Sequence, residues 1–449
     1  MTLASLGQYH DSRVGYLGER AIVVGGSMAG LCAARVLRDS FDEVIILERD
    51  SLPHGPDARD GAPQTSQPHA MLEAGRATLE DFFPGFGDDV LAAGGLELDM
   101  SKDIVWYDRG GAVAPAETDL FALYASRPLF EHVIRERIRE FDDIRLRDDC
   151  QFVTYEYDNI DRQVTGVQFR DETGSETILN ASLTVDATGR TSRTPAWLER
   201  HDYPVPDVDQ VRVDITYSTV RITRPSDIEH GVLVAPEPTR PRGAAMLPVE
   251  NNQWEVLLQG LHGERSPVDD DAFLEWAETL PRDEVGRRLR DQEWVSDIQR
   301  YPFPASVRRH YDSLPRFPDG LVVTGDAVAS FNPVYGQGMS IAALDALALH
   351  HELENGLDSL GPRVFERAKS GIDEAWKAAV GSDFVFDQTT GPKPAGIDLL
   401  NRYVDRLVKR AHNDGQLTEA FLRVFRLERP ATSLLHPSVV WRVFRPHRL

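Results

Sequence analysis

Cysteine is nearly absent from this sequence: 449 residues contain only Cys32 and Cys150, with no CxxC pair and no Cys/His cluster. Neither a zinc site nor a disulfide scaffold is supported, and no metal is predicted. Lysine is also scarce, with five residues against 44 arginines. P-loop, G-x-S-x-G and H-E-x-x-H motifs are missing as well, so the sequence lacks the signatures of the corresponding nucleotide hydrolases, serine hydrolases and zinc proteases.

Long apolar runs and excess positive charge are missing too. The longest uncharged stretch near the N-terminus, residues 21–34, is shorter than the roughly 20 residues that span a bilayer. Residues 1–20 carry charges and no apolar signal-peptide core. The formal net charge of −23 argues against a nucleic-acid partner and against docking on anionic lipid. We therefore expect a cytoplasmic protein without an integral membrane span.

A βαβ unit opens the interpretable part of the chain. The apolar run Ala21–Val24 predicts a buried strand, a glycine-rich turn and a helix follow, and Val44–Leu47 predicts a second strand that ends at Glu48. The turn brings backbone N–H groups to a helix N-terminus, where a pyrophosphate binds, and Glu48 is placed to accept hydrogen bonds from a ribose diol. The unit predicts these dinucleotide-binding residues: Gly25, Gly26, Ser27, Met28, Ala29, Gly30, Glu48 and Arg49.

A second glycine-rich segment lies near residue 330. The apolar run Leu321–Thr324 leads to Gly325-Asp326, and an Asp at the end of a strand can bind a polyol hydroxyl. Pro333 suits a rigid wall beside a flat ring, because its φ is fixed and it lacks an N–H. The amides and dipole of the following helix would stabilise negative charge on a reduced flavin. The predicted cofactor residues here are Gly325, Asp326, Pro333, Gly336, Gln337, Gly338 and Met339.

Taken together, Gly25 to Gly30, Glu48, Gly325-Asp326 and Pro333 to Gly338 resemble the FAD-dependent monooxygenases of the para-hydroxybenzoate hydroxylase class. The chain is also similar to polyene epoxidases and geranylgeranyl reductases. The resemblance implies FAD as cofactor, NAD(P)H as reductant and O2 as co-substrate. It further implies that a flavin C4a-hydroperoxide hydroxylates or epoxidises an apolar or aromatic small molecule.

Two other functions stay open. One is a flavin-dependent reductase of isoprenoid double bonds, favoured by Asp186-Ala-Thr-Gly189, where Thr188 replaces the aspartate that usually precedes this glycine in the family. The other is a flavin-binding module without enzymatic activity. The resemblance also points to a flavin-contacting loop after Glu48, in which Arg59, Gln64 and His69 are the candidates for contact or catalysis, and to Arg127 as an FAD contact at the start of a helix.

The length and ordinary composition of the chain predict two or three domains with an ample core. The predicted class is α/β: a Rossmann-like FAD-binding domain, an inserted, mainly antiparallel β-sheet substrate domain and a helical C-terminal region. A helix is predicted over Ala70 to Phe83. The predicted division assigns residues 18–97, 119–200 and 305–360 to the FAD-binding domain, 98–118 and 201–304 to the substrate domain, and 361–449 to the helical region.

Overall fold

The computed structural model describes residues 7–59 and 61–446, apart from the side chains of Pro63 and Gln64. A five-stranded parallel sheet has the strand order β18-β12-β1-β2-β8. Its strands are β1 (Gly18–Val24), β2 (Phe41–Leu47), β8 (Ile144–Arg147), β12 (Leu183–Asp186) and β18 (Leu321–Val323). Residues 21–24 of β1 and 44–47 of β2 are runs of buried aliphatic side chains, as expected for a parallel sheet that is covered on both faces.

Three further sheets are antiparallel or nearly so. The largest has eight strands in the order β19-β17-β13-β16-β15-β14-β5-β6, in which only β14 and β5 pair in parallel. Its strands are β5 (Ile104–Asp108), β6 (Gly111–Ala112), β13 (Val208–Thr223), β14 (Gly231–Val234), β15 (Arg242–Val249), β16 (Gln253–Leu261), β17 (Gln299–Arg309) and β19 (Ala329–Ser330). The two small sheets contain β3 (Pro68–Met71), β4 (Leu96–Asp99) and β7 (Phe121–Ser126), and β9 (Gln151–Asp158), β10 (Gln163–Arg170) and β11 (Glu176–Asn180).

Helices cover the parallel sheet and form the C-terminal region. They are α1 (Met28–Leu37), α2 (Glu73–Phe82), α3 (Phe86–Ala92), α4 (Arg127–Arg139), α5 (Thr194–Arg200), α6 (Asp270–Glu278), α7 (Glu284–Asp291), α8 (Gly338–Leu353), α9 (Leu360–Asp383), α10 (Ile397–Ala411), α11 (Gly415–Phe425) and α12 (Pro437–Phe444). Helix α8 packs against α1, α2 and α9, and is buried along nearly its whole length. None of the helices in the described residues combines the length and the apolarity needed to cross a membrane.

The predicted class is confirmed: the chain combines a parallel α/β unit, antiparallel sheets and C-terminal helices. The helix predicted over Ala70 to Phe83 is wrong at its start. Residues Pro68–Met71 form strand β3, which pairs with β7, and helix α2 begins at Glu73. The partner strand, more than 50 residues away, satisfies the backbone groups that a helix would otherwise have paired locally. The predicted domain boundaries stay a prediction.

Candidate cofactor and active site

The sequence motifs meet at the carboxyl ends of three adjacent parallel strands, β1, β12 and β18. A Cβ added to Gly25, at φ 106°, would lie 2.5 Å from the carbonyl oxygen of Ala187, just after β12. A Cβ added to Gly325, at φ 62°, would lie 2.7 Å from the Cβ of Ala29. Glycine is required at both positions by conformation and by close approach. Ligands of parallel α/β sheets bind at this edge.

The first turn is built for close backbone approach to an anion. A Cβ on Gly30 would lie 1.8 Å from the carbonyl oxygen of Gly25, so only glycine lets α1 start directly above the turn. Ser27 precedes the helix without capping it through its side chain. The Ser27 hydroxyl donates instead to Glu131 on α4, at 2.8 Å. A carboxylate is thus held beside a helix N-terminus, an environment that favours negative charge. Met28 and Ala29 form the first turn of α1.

Glu48 lies where the βαβ unit predicts a ribose-binding acid. It is buried at the end of β2, and its Oε2 accepts a hydrogen bond from the backbone N–H of Gly26 at 2.7 Å. Its Oε1 accepts from the N–H of Asp50 at 3.1 Å. The carboxylate is therefore fixed relative to the glycine turn. The neighbouring Arg49 is largely exposed and donates to the carbonyl oxygen of Gly61, which places it at the rim.

Arg59 lies among three carboxylates at this end of the site. Its guanidinium approaches Glu48 at 3.2 Å, Asp50 at 2.8 Å and Glu131 at 2.9 Å, with its side chain almost fully buried. Burial alone would lower the pKa of Arg59, but the surrounding negative charges raise it, so the group stays charged. Arg59 is thus located beside Glu48, at the end of the site where the motif predicts ribose and pyrophosphate.

Arg127, at the start of α4, provides the clearest evidence that the site fits an anionic group. Its Nη2 donates to the Ser27 hydroxyl at 3.0 Å and pairs with Glu131 at 3.1 Å. Its Nη1 is buried and has no hydrogen-bond partner among the described residues. An unpaired buried donor of this kind is costly unless a ligand supplies an acceptor. Beside a helix N-terminus, a pyrophosphate is the acceptor that fits.

Glu131 is the carboxylate that pairs with both Arg127 and Arg59. Burial would raise the pKa of Glu131, but the guanidinium groups of Arg127 and Arg59 outweigh burial and lower it. Arg135, one helical turn further, lies 3.8 Å away and donates to the carbonyl oxygen of Pro53. The sequence analysis missed Glu131 and Arg135. Arg127, Glu131 and Arg135 follow one another at steps of four residues, which puts all three on one face of α4 and is a signal the sequence contained.

Asp326 lies just beyond β18, and because it is exposed to solvent while protein surrounds it, we infer that its side chain lines an open hollow there. The surrounding protein raises the pKa of the Asp326 carboxyl by desolvation. The positive charges of Arg190 and Arg127 act in the opposite direction. Arg190 was missed as a candidate. It follows Gly189 on the neighbouring strand end, stacks over Phe303 at 4.9 Å, and has a pKa lowered by burial. The pair places a carboxylate and a guanidinium along the predicted path of the ribityl chain.

The loop after β19 has the open backbone that a flat ring requires. Asn332 caps a short turn, Pro333–Tyr335, and Gly336 follows in the left-handed region at φ 64°. A Cβ added to Gly336 or Gly338 would meet no atom within 4 Å, so both glycines border open space. The Oε1 of Gln337 is buried without a partner among the described residues, while its amide donates to the carbonyl oxygen of Phe425. Met339 is buried in the first turn of α8.

A buried polar network fixes this loop from behind, and the sequence analysis missed it. Asp383, at the end of α9, accepts from the Asn332 amide at 2.9 Å and from the Tyr335 hydroxyl at 3.0 Å. The Tyr217 hydroxyl on β13 donates to the Asn332 carbonyl at 2.6 Å. Burial raises the pKa of Asp383 to about 7, although both amide and hydroxyl lower it. The loop that borders the hollow is thereby tied to both β13 and α9.

Two candidate residues, Gln64 and His69, remain in the segment between Glu48 and α2, and the structure describes the side chain of His69 only. The side chain of Gln64 lies outside the described residues, although its backbone is part of a short helical turn, Pro63–Ser66. His69 contacts the carbonyl oxygen of Gln67 through Nδ1 at 2.6 Å. Burial, with a smaller contribution from Arg127, lowers the pKa of His69 to about 4. His69 is therefore neutral near pH 7 and better suited to hydrogen bonding than to accepting a proton.

The carboxylate of Asp186 has a structural role. The Asp186 carboxylate accepts hydrogen bonds from the hydroxyls of Thr188 at 2.6 Å and Ser192 at 2.6 Å, and is also bonded by Thr194. All of its capacity is used within the turn that follows β12. This leaves Gly189, at φ 77°, to face Asp326, whose Cβ lies 3.9 Å from the position of an added Cβ.

A parallel sheet with a glycine-rich first turn, a strand-end acid and an open Pro-x-x-Gly-Gln-Gly loop is the arrangement expected of a flavin-binding protein. The model of the FAD binding domain family matches residues 91–364, and the chain belongs to this family. Its fold is shared with FAD-dependent monooxygenases, so the predicted resemblance to the para-hydroxybenzoate hydroxylase class is confirmed at the level of the FAD-binding family and the fold.

One relative and two solved structures are similar to this chain over most of its length. "Protein Rv3254" of Mycobacterium tuberculosis is 32% identical over 433 residues, covering 92% of this chain and 91% of the relative. The p-nitrophenol 4-monooxygenase PnpA of Pseudomonas putida is 18% identical with a TM-score of 0.65, over 92% of this chain and 99% of that one. The flavin-dependent brominase Bmp2 is 14% identical with a TM-score of 0.66, over 91% and 94%. At these identities the two structures show a shared fold.

Proposed function

We propose that this protein uses FAD, NAD(P)H and O2 to hydroxylate or epoxidise an apolar or aromatic small molecule, in the cytoplasm. The observation that carries the proposal is the convergence of the first glycine turn, Asp326 and the open Gly336–Gly338 backbone around one hollow. When bound, FAD supplies the chemistry that moves electrons from a nicotinamide to O2 and places one oxygen atom on an organic molecule.

Different residues would bind different parts of the cofactor. The N-terminus of α1 and the unpaired Nη1 of Arg127 would bind the pyrophosphate, and Glu48 would bind the adenosine ribose. Asp326 would bind ribityl hydroxyls. The amides of Gly336 to Gly338, at the N-terminus of α8, would stabilise negative charge on the reduced ring.

Apolar side chains of the large sheet belong to the cluster that adjoins the flavin loop, and this supports an apolar substrate. Ala245 of β15 and Leu257 of β16 belong to the same buried apolar cluster that Tyr335 of the flavin loop packs against. Buried polar side chains lie on the same sheet, among them Thr219, whose hydroxyl donates to Gln67 at 2.9 Å, and Gln259. An apolar wall with a few placed polar groups is typical of small-molecule sites and excludes water from the reaction.

The proposal is tested by oxidation of NADH and NADPH by the FAD-loaded protein, with and without a panel of aromatic and terpenoid compounds. We expect one compound to accelerate oxidation and to gain one oxygen atom, which carries the label when ¹⁸O2 is supplied. Products without the label, or oxidation that no compound accelerates or converts, would argue against a monooxygenase.

A flavin-dependent reductase of isoprenoid double bonds is the second candidate. It is favoured by Thr188 in the position that usually carries aspartate, since the Thr188 hydroxyl is bound to Asp186 and leaves the turn without a free acid. The two candidates differ in their need for oxygen. Saturation of an alkene under strictly anaerobic conditions would support the reductase and contradict the monooxygenase.

A further inference from the structure

The C-terminal helices carry positive charge on a protein that is otherwise strongly acidic. Residues 397–449 contain ten Lys and Arg residues against five Asp and Glu, whereas the whole chain has a net charge of −23. The expectation that this protein avoids anionic surfaces came from the overall composition. Interactions between exposed charges are screened beyond about 8 Å at physiological ionic strength. A local group of basic residues can therefore bind an anionic surface although the whole chain is acidic.

Three arginines form a ladder along α10. Arg402, Arg406 and Arg410 are spaced by four residues and therefore lie on one face of the helix. In the described part of the chain none of them forms a salt bridge with a carboxylate, and together with Asp405 and Lys409 they line an open hollow of about 440 Å³. Like charges at this spacing destabilise an isolated helix. Arg406 and Arg410 each donate to a carbonyl oxygen at the C-terminal end of α12, whereas Arg402 has no such partner among the described residues.

Exposed aromatic side chains lie directly beside the ladder. Trp441 and Phe444 of α12 are 61% and 53% exposed. The guanidinium of Arg406 lies 4.7 Å from the centre of the Phe444 ring, and its Nε donates to the carbonyl oxygen of Val443 at 3.0 Å. The inner faces of the two helices form a separate core through residues such as Leu407 and Val443, and the exposed parts of the two rings lie outside it.

We propose that this basic–aromatic face (Arg402, Arg406, Arg410, Trp441 and Phe444) docks on the surface of an anionic phospholipid bilayer. Arginines supply attraction to lipid phosphates, and Trp and Phe supply the side chains that enter the headgroup region. A free anion would explain the arginines but not the exposed rings. Symmetric pairing of two copies through this face would bring the two arginine ladders together. Docking would place an enzyme for apolar substrates where such substrates concentrate, but the binding itself does not depend on the proposed function.

The test is co-sedimentation of the FAD-loaded full chain with vesicles of phosphatidylglycerol and phosphatidylcholine, compared with phosphatidylcholine alone. We expect binding to the anionic vesicles only, and release at high salt. R402E should raise the lipid concentration for half-binding several-fold, since each basic residue near the surface contributes about fivefold. The triple variant R402E/R406E/R410E should raise it at least a hundredfold.

Two further measurements separate docking from a folding defect. The matched control R287E/R290E reverses two exposed arginines on α7 and should bind like the wild type. With brominated lipid in the vesicles, part of the tryptophan fluorescence should be quenched, and W441F should lose that part while retaining its FAD.

The proposal would be overturned by failure to bind anionic vesicles at low salt, or by equal loss in R287E/R290E and R402E. It would also be overturned by W441F retaining the quenching. If sedimentation equilibrium shows a wild-type dimer that R402E dissociates, and no vesicle binding, the face is a protein–protein interface instead.

Discussion

The backbone N–H of Gly26 donates to the Glu48 carboxylate at 2.7 Å, which joins the glycine turn of the βαβ unit to the acid at the end of its second strand. A Cβ on Gly26 would lie 3.1 Å from the Cβ of Glu48, so the two residues are packed as well as bonded. The two halves of the predicted adenosine site therefore have a fixed geometry before any ligand arrives, which lowers the cost of ordering on binding.

Replacing Glu48 should separate the effect of charge from that of hydrogen bonding. E48Q keeps the shape but accepts weaker hydrogen bonds, and we expect FAD affinity to fall about tenfold, or roughly 1.4 kcal/mol. E48R should weaken it further, because it places a second cation beside Arg59. Titration of apoprotein with FAD, followed by flavin fluorescence, measures both. E43Q on the same strand is the control and should bind normally; equal losses in E48Q and E48R would contradict a ribose contact.

Removal of the Arg127 guanidinium should weaken FAD binding without unfolding the protein. We expect R127Q to lose about tenfold to a hundredfold in affinity, since hydrogen bonds to charged groups contribute ~1.5–3 kcal/mol. Glu131 would still be balanced by Arg59 and Arg135. R137Q, on the exposed side of the same helix, is the matched control. Wild-type affinity in R127Q would show that the unpaired Nη1 does not contact the cofactor.

Asp326 should affect cofactor retention more than overall stability. Its carboxylate lines the hollow, so we expect D326A to lose FAD during gel filtration and to bind it about tenfold more weakly. D358A changes an exposed aspartate in the loop after α8 and should retain FAD. The measurement is the flavin content per chain of each variant after gel filtration. Full occupancy in D326A would remove the ribityl assignment.

The contribution of Asp383 to stability should fall as pH rises from about 5 to 7. Burial raises its pKa from the ordinary 3.8 to about 7, so in this range the folded state holds a proton that the unfolded state has released. This contribution therefore falls with rising pH and levels off above the folded pKa. D383N should reduce the slope of unfolding free energy against pH by about one proton, as measured by urea denaturation. D387N, an exposed neighbour, should leave the slope unchanged; an unchanged slope in D383N would contradict a protonated Asp383.

Sequence reasoning predicted the parts of the site that are encoded locally. The turn from Gly25 to Gly30 and the loop from Pro333 to Gly338 could be recognised because each needs glycine at defined steps between a strand and a helix. The fold class followed from the buried parallel strands that precede these turns. The helix predicted over Ala70 to Phe83 begins too early. Strand β3 occupies its start, and this strand forms only by pairing with β7, which no local pattern encodes.

The bonding partners of the supporting groups could not be predicted, because they are contributed by distant parts of the chain. Glu131 bonds Ser27 across 104 residues, and Asp383 bonds Asn332 across 51. Neither acid belongs to a motif, and a buried carboxylate looks like a surface one in sequence. Arg190 lies within a recognised segment, but its position opposite Asp326 depends on the order of β12 and β18 in the sheet.

The account's central claim is that the hollow at the ends of β1, β12 and β18 holds FAD. The most direct measurement is the amount and identity of flavin released from the folded, gel-filtered protein after incubation with excess FAD, FMN and NAD. We predict one FAD per chain, no FMN and no NAD. A folded protein that retains no FAD, or that selects FMN, would contradict the account.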